Sequence, residues 1–245
     1  MAAVLSDLLD PLISIAFPSA CLVCGASVDR RDDGAACGAC WSATRLLGDI
    51  QNSCLRCCAI TPLASQADSC PECESADFDR AVSAGVYEKA LAAAVWHLKH
   101  RPVAAPRALA ALDRAIASIE RDVPRLIVPV PQSRKRTLER GFNQAEVLAR
   151  YVARRIGRPI CTGVLVRSTH TPKHRGGMDR KARAATVAKA FEARIPKLID
   201  GSNVLLVDDV LTSGSTASAC AAVLKEKGAA RVDVITLARA VMQSN

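Results

Sequence analysis

Aromatic residues are scarce in this chain: two Trp, two Tyr and four Phe among 245 positions. A platform that stacks the bases of a single nucleic-acid strand would therefore have few rings to work with. No apolar run approaches the roughly 20 residues of a membrane-spanning helix, so membrane insertion is not expected. The opening MAAVLSDLLDPLISIAF lacks a basic leader and carries Asp7 and Asp10, unlike a secretory signal. Its residues Val4, Leu5, Leu8, Leu9, Leu12 and Ile13 fall at helical spacing, which predicts a short amphipathic helix over 1–16. The expected compartment is the cytoplasm. The G-x4-G-K-[ST] pattern of a P-loop is also missing.

Cysteine, by contrast, is abundant. Nine of the 11 cysteines crowd into residues 21–73, where CxxC pairs in a cytoplasmic protein point to metal rather than disulfides. Cys21, Cys24, Cys37 and Cys40 recur 33 residues later as Cys54, Cys57, Cys70 and Cys73. Both sets read C-x2-C-x12-C-x2-C, and each offers four thiolates to one tetrahedral zinc. Residues 17–76 thus read as a double zinc ribbon with two structural ions, since four thiolates leave no open position for catalysis. Sequential pairing closes the shorter loops, while a crossed arrangement of Cys21 and Cys24 with Cys70 and Cys73 stays open. Cys58 is a spare beside Cys57, and Cys161 and Cys220 read as small core residues.

A net charge of +9, drawn largely from Arg and Lys between residues 97 and 197, favours phosphate, on a small substrate or on nucleic acid. Over 80–245, apolar runs alternate with Ala-rich helical ones. Strands are expected at AVSAGVYE, RLIVPVP, CTGVLVRS, GSNVLLVDDV and RVDVITLARA. Helices are expected at LAAAVWHLKH, PRALAALDRAIASIERD, QAEVLARYVARRIG and STASACAAVLKEKG, and in part of KARAATVAKAF. That alternation implies an α/β domain with parallel strands covered on both faces.

The chemistry concentrates in VLLVDDVLTSGST, residues 204–216. Four apolar residues make a buried strand, and Asp208 and Asp209 emerge at its carboxyl end, where open α/β sheets bind ligands. Thr212, Ser213, Gly214, Ser215 and Thr216 then lead into a helix starting near Ala217. Backbone N–H groups of such a loop seat an anion, Gly214 lets the backbone approach, and the hydroxyls add donors. Paired carboxylates suit the vicinal hydroxyls of a ribose. A plain Ser/Thr-capped helix start needs no such pair. The stretch resembles the 13-residue phosphoribosyl-pyrophosphate (PRPP) signature of type I phosphoribosyltransferases. Upstream, a second strand leads into a basic loop carrying Arg134, Lys135, Arg136 and Arg140, guanidiniums and ammonium suited to pyrophosphate. His97 and His100, beside Lys99 and Arg101 on an Ala-rich helix, read as solvated or structural rather than ligating.

PVPQSRKRTLERGFNQAEVLA, VLLVDDVLTSGST and GAARVDVITLARA, with the Cys-rich entry and WHLKHR, together resemble the ComF family, also called ComFC or competence protein F. The resemblance implies a type I phosphoribosyltransferase fold, a Rossmann-like mainly parallel sheet, behind a small N-terminal double zinc ribbon. It implies Mg²⁺ with PRPP, phosphoribosyl transfer to an unknown acceptor, Asp208 and Asp209 on the ribose, and 212–216 on the 5′-phosphate. In naturally transformable bacteria it further implies handling of imported single-stranded DNA beside a DNA-uptake helicase or other partner protein. TPKHRGGMDRKAR, residues 171–183, corresponds to the mobile hood over PRPP and supplies His174 and Arg175 as pyrophosphate candidates. The family more often has Gln at the position of His174 and Asn at that of Thr186.

Overall fold

The strand NVLLVDDVL sets the architecture. In the computed structural model, which describes residues 19–50, 52–60, 70–119, 125–167 and 190–241, it forms a nine-residue strand, Asn203–Leu211. Val204 to Val207 are all buried, as a strand covered on both faces requires. Among the described residues it is the fifth of six strands, after β1 (Arg80–Ser83), β2 (Leu126–Pro129), β3 (Leu165–Arg167) and β4 (Phe191–Ala193), and before β6 (Arg231–Arg239). The main sheet has the order β1-β6-β5-β2 with every pairing parallel.

Period-two alternation sends successive β5 side chains to opposite faces, and each face has its own hydrophobic cluster. Leu205 and Val207 join Val82, Ile127 and Ile235 under three helices. These are α2 (Lys89–His100), α3 (Pro106–Ala117) and α5 (Gln144–Ile156); a short α1 (Gly38–Ser42) precedes them. Val204 and Leu206 join Val128, Val232 and Val234 on the other face, where α7 (Ser215–Glu226), which follows a short α6 (Pro196–Ile199), packs through Cys220, Ala221 and Leu224. The first four-cysteine unit contributes Cys21, Cys37, Cys40 and Trp41 to the former cluster. The second contributes Cys54, Cys57, Cys70, Cys73 and Phe78 to the latter. The two repeats thus brace opposite faces of one sheet.

Three expectations change. RKRTLER, read as a loop, is helix α4 (Arg134–Arg140), capped by Ser133, which accepts from the Arg136 N–H, and stopped by left-handed Gly141. Apart from Thr137 its residues are strong helix formers, and none is buried. CTGVLVRS does not enter the main sheet: Ile160 makes one parallel bridge to Ile127, then Thr162–Gly163 turn the chain away. The chain then enters β3, paired antiparallel with β4. The last helix begins at Ser215, not near Ala217. The 1–16 helix and the 171–183 segment lie outside the described residues. Among the described residues, no helix is long and apolar enough to cross a membrane.

Leu206, fully buried at the sheet centre, gives a direct test of this core. Leu206→Ala should lose about 2–5 kcal/mol in denaturant unfolding, the range for a buried leucine. Leu138→Ala, at 77% exposure on α4, should move stability by less than about 0.5 kcal/mol.

Candidate functional site

The first cysteine pair of each repeat folds into the same knuckle. Gly25 donates its N–H to the Cys21 carbonyl at 2.9 Å, and Cys58 donates to Cys54 at 2.8 Å. Isolated bridges Ala20–Ser27 and Ser53–Ile60 close the two turns. The residue after the second cysteine must turn left-handed, with φ of 77° at Gly25 and 55° at Cys58. Glycine does this without strain, whereas Cys58 carries a side chain into that region. Its Sγ turns away and donates to the Ala81 carbonyl at 3.4 Å, which removes it from ligand competition. Burial pushes its thiol up, so it stays protonated and inert.

The eight remaining sulfurs gather sequentially, Cys21, Cys24, Cys37 and Cys40 in one group and Cys54, Cys57, Cys70 and Cys73 in the other. The crossed arrangement is not adopted. Sγ–Sγ separations are 3.8 Å for Cys21–Cys40, 3.7 Å for Cys24–Cys37, 3.7 Å for Cys54–Cys73 and 3.6 Å for Cys57–Cys70. Four sulfurs placed tetrahedrally at about 2.3 Å from zinc stand about 3.8 Å apart, so both cages fit that ion. Burial, reinforced by the Cys54 and Cys73 charges, drives the Cys57 thiol up; four such groups ionise together only around a cation. Cys220 is buried on α7 and Cys161 half-buried. Among the described residues no histidine joins such a group. His100 stacks on Trp96 with ring centroids 4.1 Å apart and points Nδ1 at the Trp96 carbonyl, 2.7 Å away.

Asp208 and Asp209 lie within β5 rather than at its end. Pairing with β2 stops at Pro129–Val207, while pairing with β6 runs on to Leu211–Arg239. The carboxylates therefore open where one neighbour strand has ended and the other continues. Asp208 Oδ1 accepts from the Asp209 N–H at 2.8 Å, and Asp209 Oδ1 from Val210 at 3.0 Å. Asp209 Oδ2 is buried without a hydrogen bond, its closest cation being Lys99 Nζ at 3.4 Å. Burial and the adjacent Asp209 charge hold the Asp208 carboxyl well above the ordinary range, with Lys99 opposing. Two hard oxygen donors in this condition suit a divalent cation such as Mg²⁺ or a pair of hydroxyls.

Beyond Leu211 come exposed Thr212 and Ser213. Gly214 takes φ of 76°, and Ser215 and Thr216 open α7. Ser213 Oγ lies 2.9 Å from Ser215 Oγ and 3.4 Å from the Ser215 N–H. The N-cap Gly214 offers α7 no side chain, and apart from the Ser215 N–H, which Ser213 Oγ accepts, the opening N–H groups stand without a side-chain cap at the positive end of the helix dipole.

The basic candidates come to the same edge. Val130, next after β2, donates its N–H to the Val207 carbonyl at 2.9 Å, and α4 starts four residues on. Asn143 closes this turn by donating to the Val130 carbonyl at 3.0 Å. Arg140 is held by Gln144 at 3.0 Å and Lys135 pairs with Glu139 at 3.9 Å, while Arg134 and Arg136 are exposed. Arg167 on β3 is pushed down by burial and by the Arg136 charge. His174 and Arg175 lie outside the described residues. Lys99 is a neighbour of the site that no sequence motif marked. The WHLKHR segment held Lys99 in plain view, but no local pattern ties an Ala-rich helix to an aspartate on a distant strand.

The sign of the pH effect comes from the raised Asp208 value. The folded chain binds this proton more tightly than the unfolded one, so stability falls as pH rises from about 3.9 through the raised value. Asp208→Asn removes that loss. Without Mg²⁺ or phosphate ligands it should melt above the parent at about pH 8, by a margin that shrinks towards about pH 5. A margin independent of pH would contradict the burial of the carboxyl.

Residues 138–243 match the family model described as phosphoribosyl transferase domain. Competence protein F of Haemophilus influenzae is 34% identical over 119 residues, covering 48% of this chain and 52% of that protein. Competence protein ComFC of Bacillus subtilis is 33% identical over 119 residues, covering 46% of this chain and 44% of that one. Both matches thus span only about half of the relative's length. DNA utilization protein YhgH of Salmonella typhimurium is 31% identical over 191 residues, covering 73% of this chain and 81% of its own. The solved allosteric regulatory enzyme of purine biosynthesis overlays at a TM-score of 0.38 with 20% identity, over 58% of this chain and 30% of that one, too loosely to carry an argument. The Salmonella relative spans most of both chains, and with it this chain belongs to the ComF family, carrying a type I phosphoribosyltransferase domain.

Proposed function

We propose that the chain binds PRPP with Mg²⁺ at the β5–α7 junction and transfers the phosphoribosyl group to a nucleophilic acceptor, releasing pyrophosphate. The observation that carries this reading is the adjacent Asp208–Asp209 pair, with Asp209 buried and 3.4 Å from Lys99, followed directly by a hydroxyl-lined helix start whose N-cap is a glycine. In it, the two carboxylates accept hydrogen bonds from the vicinal ribose hydroxyls. The N–H groups and hydroxyls of Thr212, Ser213, Gly214, Ser215 and Thr216 hold the 5′-phosphate, and Arg134, Lys135, Arg136 and Arg140, with His174 and Arg175 of the hood, answer the pyrophosphate. Mg²⁺, when bound, neutralises charge on the leaving group.

The bond from C1 to the pyrophosphate oxygen breaks with its electron pair leaving on pyrophosphate. The acceptor's lone pair forms the new bond at C1, and its proton passes to solvent. Charge builds on the leaving oxygen and on the ring, so positioning and electrostatics carry the rate more than a dedicated base. The zinc-fitting cages are structural, and the protein works in the cytoplasm, where reduced thiolates persist. The domain division that serves this reading is residues 17–76 for the ribbons and 80–245 for the transferase unit.

A second reading draws on the relatives' names, competence and DNA utilization, together with the +9 charge. There the PRPP pocket serves binding only, and the protein handles single-stranded DNA during uptake beside a helicase or similar partner. Phosphate contacts of that kind weaken steeply with salt.

Two measurements decide between them. Incubated with PRPP, Mg²⁺ and a panel of bases and amines, the parent should release pyrophosphate with at least one acceptor, and Asp209→Asn should weaken PRPP binding about tenfold or more. Release with none, together with salt-sensitive single-strand binding that survives Asp209→Asn, would favour the second reading. Elemental analysis should find two zinc ions per chain, and a strong chelator should lower the melting temperature.

A further inference from the structure

The second cysteine knuckle reaches beyond its metal cage. Between Cys70 and Cys73 stands Glu72, whose Oε2 accepts from Arg239 Nη2. Arg239 closes β6 and is only 2% exposed. Its other terminal nitrogen, Nη1, donates to the Leu211 carbonyl at 2.9 Å and to the Thr212 carbonyl. A buried guanidinium is thus stretched between the cage and the chain that enters the 212–216 turn. Two more contacts run along the same line. Asp77 donates its N–H to Ser218 Oγ at 3.0 Å and accepts from that hydroxyl at 2.6 Å. The Phe78 ring lies 3.5 Å from where a Cβ on Gly214 would stand.

The first knuckle is anchored differently. It is tied to α2 and α3, through Asp33 to Arg107 at 2.8 Å, the Ala43 carbonyl to Lys89 at 2.9 Å, and Arg45 to Glu88 at 2.7 Å. The repeats match in spacing and in the knuckle of their first cysteine pair, yet the second one grips the phosphate-type turn.

We propose that Glu72 and Arg239 are positioning residues that hold the 212–216 turn in its anion-seating shape and couple it to closure of the second cysteine cage. The physical basis is preorganisation. Exposed Thr212 and Ser213 would otherwise sample many backbone conformations, and each that turns an N–H away from the anion lowers affinity. The Arg fork fixes two carbonyls at once, and Glu72 answers its buried charge, without which the guanidinium would be drawn towards water. This inference rests on the phosphate-seating reading of the turn.

The test uses the full chain. Ribose 5-phosphate and PRPP with Mg²⁺ are titrated calorimetrically into the parent, Glu72→Gln, Glu72→Ala and Arg239→Lys, with Arg150→Ala as a surface control. Zinc per chain and amide hydrogen exchange over 211–217 are measured on the same samples without ligand. The expected result is about tenfold weaker binding of both ligands by a common factor in the Glu72 variants. Amides of 211–217 exchange faster, zinc stays at the parental level, and the control is unchanged. Arg239→Lys keeps the charge and every cysteine but loses the fork, so it must show the same loss even if a Glu72 variant sheds metal. Parental affinity and parental exchange in Glu72→Ala and Arg239→Lys would overturn the proposal. Failure of the parent to bind either ligand would instead overturn the phosphate-seating function, and the exchange data would still decide whether Glu72 and Arg239 hold the turn.

Discussion

Two adjacent carboxylates held against a strand that is buried on both faces impose most of what surrounds them. Burial and the Asp209 charge work against ionisation of Asp208, and the chain answers only in part, through Lys99. That lysine comes from α2, an element laid down early in the chain, so α2 must be fixed over the carboxyl edge of β5. The first cysteine unit does this by binding the start of α2: Thr44 Oγ1 accepts from the Ala90 N–H at 3.1 Å, and Lys89 donates to Ala43. A charge problem on one strand thus accounts for the position of a helix and for the unit that anchors it.

The Cys-rich segments have too few apolar residues to build a core of their own. Each instead puts its buried sulfurs into a cluster it shares with one face of the sheet. Four thiolates around one ion would do for these turns what side-chain packing does elsewhere. Because the clusters lie on opposite faces, the second repeat is no spare copy of the first. They stabilise different helices, and substitutions within them need not have parallel effects.

Residues that act through near neighbours in the chain were legible in the sequence. The cysteine repeat gave the grouping of sulfurs, though its spacing alone left the crossed pairing open; geometry closes it. Val204 to Val207 followed by two aspartates and a hydroxyl run gave strand, turn and helix, because burial and capping act over a few residues. What escaped depends on pairing between distant segments. β5 continues past Asp209 because β6 is there to receive it, while β2 ends early. RKRTLER looked like a loop because its one large apolar residue, Leu138, is exposed and no amphipathic stripe forms. Ser133 was a usable cap signal. No local pattern announces Arg239 meeting Glu72 across 167 positions.

The strand order has a consequence for where this protein can be cut. Residues 138–243, the stretch matched by the transferase family model, contain β5 and β6 but neither edge strand of the main sheet. β1 and β2 both lie upstream, and β1 emerges within a few residues of Cys73. An excised fragment with those bounds would present two long apolar strands with raw edges on both sides, an invitation to intermolecular pairing. The recognisable transferase segment is therefore not a folding unit by itself. Its sheet is completed by the chain between the second cysteine knuckle and residue 138, which supplies both β1 and β2.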